Sequence, residues 1–228
     1  MEFKGHQKSS FIDYPDKICT VLFTGGCNFR CPYCHNSDLV NNKGEELTEG
    51  IVLAYLDKRK KMIDAVCISG GEPTLHRGLY DFIKKIKDKD YLVKLDTNGT
   101  SPDILKKLIS DGLLDYVAMD IKAPIDKYNK VTNTDIDINK IIESIDIVKN
   151  SDIDYEFRTT VCKELLTAKD IIEIAQYLKG SKRYYVQNFR DGATVLAGKN
   201  KFSSYDIETL KKIEEQIKCH FDTFKIRS

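Results

Sequence analysis

Short apolar runs alternate along the chain with stretches whose apolar residues recur at a helical period. Ile18 to Thr24 is a β-branched and aromatic run that ends in Gly25-Gly26, which predicts a strand. From about Thr48, an N-cap residue type, Ile51, Val52, Tyr55, Leu56 and Met62 follow a helical spacing. Asp64 to Ser69 reads as a short buried strand, Gly78 to Lys87 as an amphipathic helix carrying Leu79, Phe82, Ile83 and Ile86, and Tyr91 to Asp96 as the next strand. The helix from Ser101-Pro102 to Ser110 has its proline where a first turn accepts it and is stopped by Gly112. Tyr116 to Ile121 is a further strand. After a loop rich in Asn, Asp and Thr come a helix over Asn139 to Val148, a strand over Asp154 to Val161, a helix over Lys169 to Leu178 and a strand over Arg183 to Phe189. A loop through Gly192 and Gly198 leads to a last helix, Tyr205 to Ile217, and the tail His220 to Arg227 offers an edge strand.

Strands that alternate with helices call for parallel pairing and right-handed crossovers. Six such units fall short of the eight of a closed barrel. The expected fold is therefore α/β, a partial, laterally open (β/α)6 TIM-like barrel, with an open doubly wound sheet as the alternative. A chain of 228 residues, 41% of them apolar, suits a single domain over 1–228.

Charge and composition narrow the function. The formal net charge is +1, so no basic field draws in nucleic acid. No apolar run is long enough to span a bilayer, and Met1-Glu2-Phe3-Lys4-Gly5-His6 lacks the apolar region of a secretory signal. The expectation is a cytoplasmic protein with a small-molecule or protein partner and no membrane. In that reducing setting seven cysteines point to metal or thiol chemistry rather than to disulfides.

Three of the seven lie in Gly25-Gly26-Cys27-Asn28-Phe29-Arg30-Cys31-Pro32-Tyr33-Cys34-His35-Asn36, directly after the first apolar strand. Three thiolates with no fourth at ligand spacing suit an iron–sulfur cluster with one iron left open. The competing reading is a zinc site that adds His35, although the adjacent Cys34 and His35 would chelate poorly together. In either fold ligands gather at the carboxyl ends of the strands. There the second strand delivers Ser69-Gly70-Gly71-Glu72-Pro73-Thr74, in which the glycines open the backbone and Pro73 holds Glu72 extended. A carboxylate so placed is a receptor for an ammonium group. The third strand ends in Asp96-Thr97-Asn98-Gly99. The fourth ends in Asp120-Ile121-Lys122, a carboxylate and an amine two residues apart on one face.

Glu156, Arg158 and Thr160 alternate on a later strand, where Arg158 suits either a ligand carboxylate or an ion pair with Glu156. Gln187 and Phe189 close the sixth strand, the first suited to an adenine or peptide contact and the second to the core. Cys19, Cys67, Cys162 and Cys219 are single and read as small buried residues. His6, His76 and His220 are isolated and take no role.

Taken together, the Cys27-x3-Cys31-x2-Cys34 spacing and the Gly-Gly-Glu-Pro turn resemble the radical S-adenosylmethionine (SAM) enzymes. Ser10-Phe11-Ile12-Asp13-Tyr14-Pro15, the sequence from Gly26 to Asn36, Asp96 to Gly99 and Asp120 to Lys122 resemble, within them, the glycyl-radical enzyme activases, above all activators of anaerobic ribonucleoside-triphosphate reductase. The resemblance covers Ser10 to Lys122 motif by motif. It implies a [4Fe–4S] cluster on Cys27, Cys31 and Cys34 that cleaves SAM reductively, and a 5′-deoxyadenosyl radical that takes hydrogen from a glycine of a glycyl-radical enzyme. It also implies that Tyr33 lies against adenine, that Gly70, Gly71 and Glu72 receive the methionine end, and that Thr97, Lys122, Arg158 and Gln187 help to hold the cofactor. Asp96 and Asp120 would hold a monovalent cation. With no inserted ferredoxin-like module, electrons would come from an external donor such as flavodoxin or ferredoxin. One departure is Asp16, where the family pattern has glycine. The rivals are a 7-carboxy-7-deazaguanine synthase-like enzyme acting on a small pterin, whose loop usually continues after the last cysteine with Asp-Thr, and a zinc-binding interaction module.

Overall fold

A computed structural model describes residues Met1–Arg227. In chain order the elements are β1 (Glu2–Phe3), β2 (Gly5–Ser10), β3 (Cys19–Thr24), α1 (Ser37–Val40), β4 (Leu47–Thr48), α2 (Glu49–Arg59), β5 (Ala65–Gly70), α3 (Leu79–Lys87), β6 (Leu92–Thr97), α4 (Pro102–Ser110) and β7 (Tyr116–Asp120). They continue with α5 (Tyr128–Thr132), α6 (Ile138–Lys149), β8 (Asp154–Val161), α7 (Ala168–Tyr177), β9 (Arg183–Asn188), α8 (Ile207–Ile217) and β10 (Thr223–Arg227). Every strand and helix expected from the alternation is present, within two residues of its expected ends. The exceptions are the ends of α2, which stops three residues before Met62, and of β10, which begins three residues after His220.

The chain divides into two compact units. The first holds Met1–Asn28, Asp38–Ala118 and Lys140–Asp154. In it the strands run β2-β3-β5-β6, with β3, β5 and β6 parallel and β2 antiparallel to β3. Strand β2 carries Gly-His-Gln-Lys-Ser-Ser and is mostly solvated, so it has none of the apolar alternation that announces a strand. Its backbone is placed instead by pairing with β3. The core beneath β3 and β5 contains Tyr14, Cys19, Val21, Ala65, Cys67, Tyr116 and Ala118.

The second unit holds Phe29–Ser37, Met119–Asn139 and the described residues from 155 to 227. Its strands β8, β9 and β10 are parallel neighbours. Helix α7 starts on a capping box in which Thr167 and Asp170 each accept from the other's end of the turn. Helix α8 starts on Asp206, whose carboxylate accepts from the amide of Thr209. The expected α/β class with a parallel sheet is the one observed. No helix among the described residues is long and apolar enough to cross a membrane.

Asp16 has a φ of 59°, the left-handed region that glycine enters without strain. Aspartate is one of the few side chains that tolerate it, so the conformation survives the departure from glycine.

Candidate active site

In the first unit the turn after β5 is pressed onto the backbone that leads into the cysteine loop. Gly70 has a φ of +120°, and a Cβ on it would lie 2.4 Å from both the amide nitrogen and the carbonyl oxygen of Thr24. A Cβ on Gly71 would lie 1.9 Å from the carbonyl oxygen of Gly26. Only glycine permits that approach. The amides of Gly71 and Glu72 donate to the carbonyls of Thr24 (2.9 Å) and Gly26 (2.8 Å), and His76 Nε2 donates to that of Gly25 (2.9 Å). His76, given no role from sequence, is thus part of the clamp.

Glu72 is fully buried. Its Oε1 accepts from Thr74 N (3.1 Å), Thr74 Oγ1 (2.5 Å) and Thr97 Oγ1 (2.8 Å), and its Oε2 accepts from Asn98 N (2.6 Å). Burial raises its pKa above the ordinary carboxylate value, against the lowering effect of these four donors. Through these donors the carboxylate expected to receive an ammonium group ties the end of β5 to the end of β6. Asn98 in turn donates from Nδ2 to Asn28 Oδ1 (2.8 Å) and toward Cys27 Sγ (3.9 Å).

Asp96, at the end of β6, is 2.5 Å from Lys94 Nζ and accepts from Ser69 Oγ at 3.0 Å. Its charge is met within the chain by Lys94.

In the second unit Asp120 is met in the same way, by Arg158 Nε at 2.8 Å and Lys122 Nζ at 3.1 Å. Burial pulls the pKa of Lys122 down, but Asp120 beside it, with Tyr33 and Cys31, holds it well above the usual lysine value. The carboxylate and amine expected side by side at the end of β7 are so placed. The ion pair expected between Arg158 and Glu156 is not the main one, since those groups are 4.0 Å apart. The amide of Ile121 donates to the carbonyl of Arg158, and that register sets Asp120 beside the guanidinium. Glu156 also lies 3.5 Å from Arg227 Nη1. Gln187 Oε1 accepts from Thr160 Oγ1 at 3.4 Å. Phe189 is buried, as expected, and its ring lies 5.2 Å from that of His35.

Tyr33 is buried and its hydroxyl has no hydrogen-bond partner. Burial pushes its pKa far up, and the neighbouring Cys31 adds to the shift. An orphaned hydroxyl of this kind is costly in a finished core and is a natural contact for a ligand. The cysteine loop itself is pinned by backbone bonds. Arg30 N donates to Thr132 O (2.9 Å), Leu196 N to Cys34 O (2.9 Å) and Ala197 N to Pro32 O (2.9 Å). The role of Thr132, Leu196 and Ala197 was not legible in the sequence, because any residue can supply a backbone group.

None of the seven cysteines is in a disulfide. Cys27 and Cys34 are half-buried and Cys31 is buried. Cys19, Cys67 and Cys162 are buried as expected, whereas Cys219 is exposed, on the short 3₁₀ turn after α8. Among the described residues no three His, Cys, Asp or Glu side chains stand in a group set to hold a metal ion. The donor chemistry of Cys27, Cys31 and Cys34 nonetheless fits an iron–sulfur cluster: three thiols in a backbone-pinned loop, with an amide donor at Cys27.

A wound parallel sheet with a three-thiol loop after its first parallel strand, and a glycine-acid turn clamped to that loop, defines an enzyme that works on a ligand at its strand ends. The family model of the Radical SAM superfamily matches residues 21–178, and the chain belongs to that superfamily. It is a radical SAM enzyme, and the family implies a [4Fe–4S] cluster and S-adenosylmethionine. The chain is 38% identical over 185 residues to the "Putative glycyl-radical enzyme activating enzyme" of Methanocaldococcus jannaschii, covering 79% of this chain and 76% of the relative. It is 29% identical over 213 residues to the "Probable GTP 3',8-cyclase" of Sulfurisphaera tokodaii, covering 91% of this chain and 66% of the relative. Among solved structures, Streptococcus suis SuiB bound to S-adenosylmethionine matches with a TM-score of 0.66 at 15% identity. That match covers 91% of this chain and 52% of the other, so the chain spans about half of SuiB and the likeness shows the fold alone.

Proposed function

We propose that the chain is a glycyl-radical enzyme activase, and that its partner is an anaerobic ribonucleoside-triphosphate reductase. The observation that carries this reading is the clamp of the Gly70–Pro73 turn on Gly26 and Cys27, which draws the strand end expected to take SAM against the first cluster ligand. The similarity to the Methanocaldococcus jannaschii activating enzyme supports the choice of partner class. In this reading Cys27, Cys31 and Cys34 hold the cluster. When bound, the cluster would supply the one-electron reduction of the SAM sulfonium from which hydrogen removal at a partner's glycine α-carbon would follow.

The chain's own residues bind and orient. Gly70 and Gly71 present backbone to the methionine end, while Glu72 and Thr97 hold that turn in shape. Lys122 and Arg158 offer positive charge to the cofactor carboxylate, and Asp120 keeps both cations in place. Tyr33 and Gln187 contact adenine. Asp96 and Asp120, whose charges the chain already meets, favour these positioning roles over a bound monovalent cation. An external flavodoxin or ferredoxin supplies electrons, and seven cysteines outside any disulfide suit a reducing cytoplasm.

The test is anaerobic reconstitution followed by dithionite and SAM, which should yield 5′-deoxyadenosine and, with the reductase, a glycyl-radical doublet in electron paramagnetic resonance (EPR). About one zinc per chain with no iron or sulfide would sink the proposal, as would 5′-deoxyadenosine formation by Cys31→Ala. A second reading, a radical SAM enzyme acting on a small nucleotide, is favoured by the match to the Sulfurisphaera tokodaii cyclase. It would be preferred if 5′-deoxyadenosine forms with GTP present and no doublet appears with the reductase.

A further inference from the structure

Asn98 belongs to a motif noticed in the sequence but given no work there. It sits at the end of β6 and is buried, with 5% exposure. Its backbone amide donates to Glu72 Oε2 at 2.6 Å. Its side-chain Oδ1 accepts from Thr100 N (3.1 Å) and Thr100 Oγ1 (2.7 Å). The Thr100 amide can only donate, so the atom facing it must be the oxygen. That fixes the opposite atom as Nδ2, which donates to Asn28 Oδ1 at 2.8 Å and points at Cys27 Sγ, 3.9 Å away. Asn28 closes the ring by donating from Nδ2 to Thr100 Oγ1 at 2.9 Å. The donor aimed at the sulfur therefore has its orientation set by three hydrogen bonds, two to Thr100 and one to Asn28.

We propose that Asn98 is a positioning residue that raises the reduction potential of the cluster by donating its side-chain N–H to the Cys27 thiolate. The proposal rests on the reading of Cys27 as a cluster ligand. A hydrogen bond to a ligand sulfur draws electron density from it and favours the more negative, reduced cluster. Because the same residue holds Glu72 through its backbone, the turn assigned to the methionine end and the sulfur of a cluster ligand share one support.

The experiment is an EPR-monitored redox titration of the reconstituted full chain, native against Asn98→Ala and the near-isosteric Asn98→Asp, which cannot donate when ionised. Iron and sulfide should remain near native in the variants. The expected result is about a tenfold lower ratio of reduced to oxidised cluster at fixed poise, a downward shift of about 59 mV for a one-electron couple. An unchanged or higher potential in a fully loaded variant would overturn the inference. If neither variant loads, the native protein decides: with asparagine labelled by ¹⁵N in the side chain only, pulsed EPR should show a nitrogen coupling to the reduced cluster, and its absence would refute the hydrogen bond. Failure of the underlying reading looks different, since the native protein would then bind no iron and give no cluster signal.

Discussion

At the scale of single residues the informative case is Glu72. A buried carboxylate is expected to be expensive, and here four donors work against that cost without cancelling it, so burial leaves the pKa raised. A raised carboxyl pKa means that the folded state binds the proton more tightly than the unfolded chain does. The contribution of Glu72 to stability is thus greatest below the unfolded value of 4.5 and declines as pH rises through the higher folded value. Glu72→Gln should remove that decline. It should also set an amide donor against one of the four donors and cost roughly 1–3 kcal/mol, read from urea unfolding at several pH values. Retention of the native pH dependence in the variant would show that the slope comes from another group.

At the scale of elements, the glycines of the turn after β5 act by what they lack. A methyl at Gly71 cannot be placed without moving the turn away from Gly26, because the atom it meets is backbone. Gly71→Ala should keep its iron yet lose most of its capacity to cleave SAM, with a stability cost of about 1–3 kcal/mol. Iron analysis and 5′-deoxyadenosine yield check both parts. Helix α7 makes a separate case in the second unit. Thr167→Ala breaks the capping box and should lower stability by about 1 kcal/mol in denaturant unfolding, with SAM cleavage in the folded fraction unchanged.

At the scale of the whole molecule, stability and cofactor loading are linked. A cluster that binds only the native chain stabilises it by an amount that grows with the logarithm of its excess over the dissociation constant, about 1.4 kcal/mol for each tenfold. The reconstituted protein should therefore unfold at higher urea than the cluster-free protein under the same anaerobic conditions. Removing iron with a chelator should return the midpoint to the lower value. Equal midpoints would mean that the cysteine loop is as well held without the cluster, as its bonds to Thr132, Leu196 and Ala197 would permit.

The sequence by itself determined the alternation of strands and helices, the place of the three thiols after a strand, and the glycines of the following turn. These depend on periodicity, side-chain type and local backbone freedom, which act over a few residues and leave their mark in order along the chain. It said nothing of β2, which has no apolar pattern and exists only as a partner for β3. Nor could it say that Glu72 spends its oxygens on Thr74, Thr97 and Asn98, or that Arg158 turns to Asp120 rather than to Glu156. Those partners are chosen by strand register and by which donors end up buried together, and only the tertiary structure decides either. Asn98 shows the difference most plainly: its motif is visible in sequence, but the sulfur it faces lies 71 residues away along the chain.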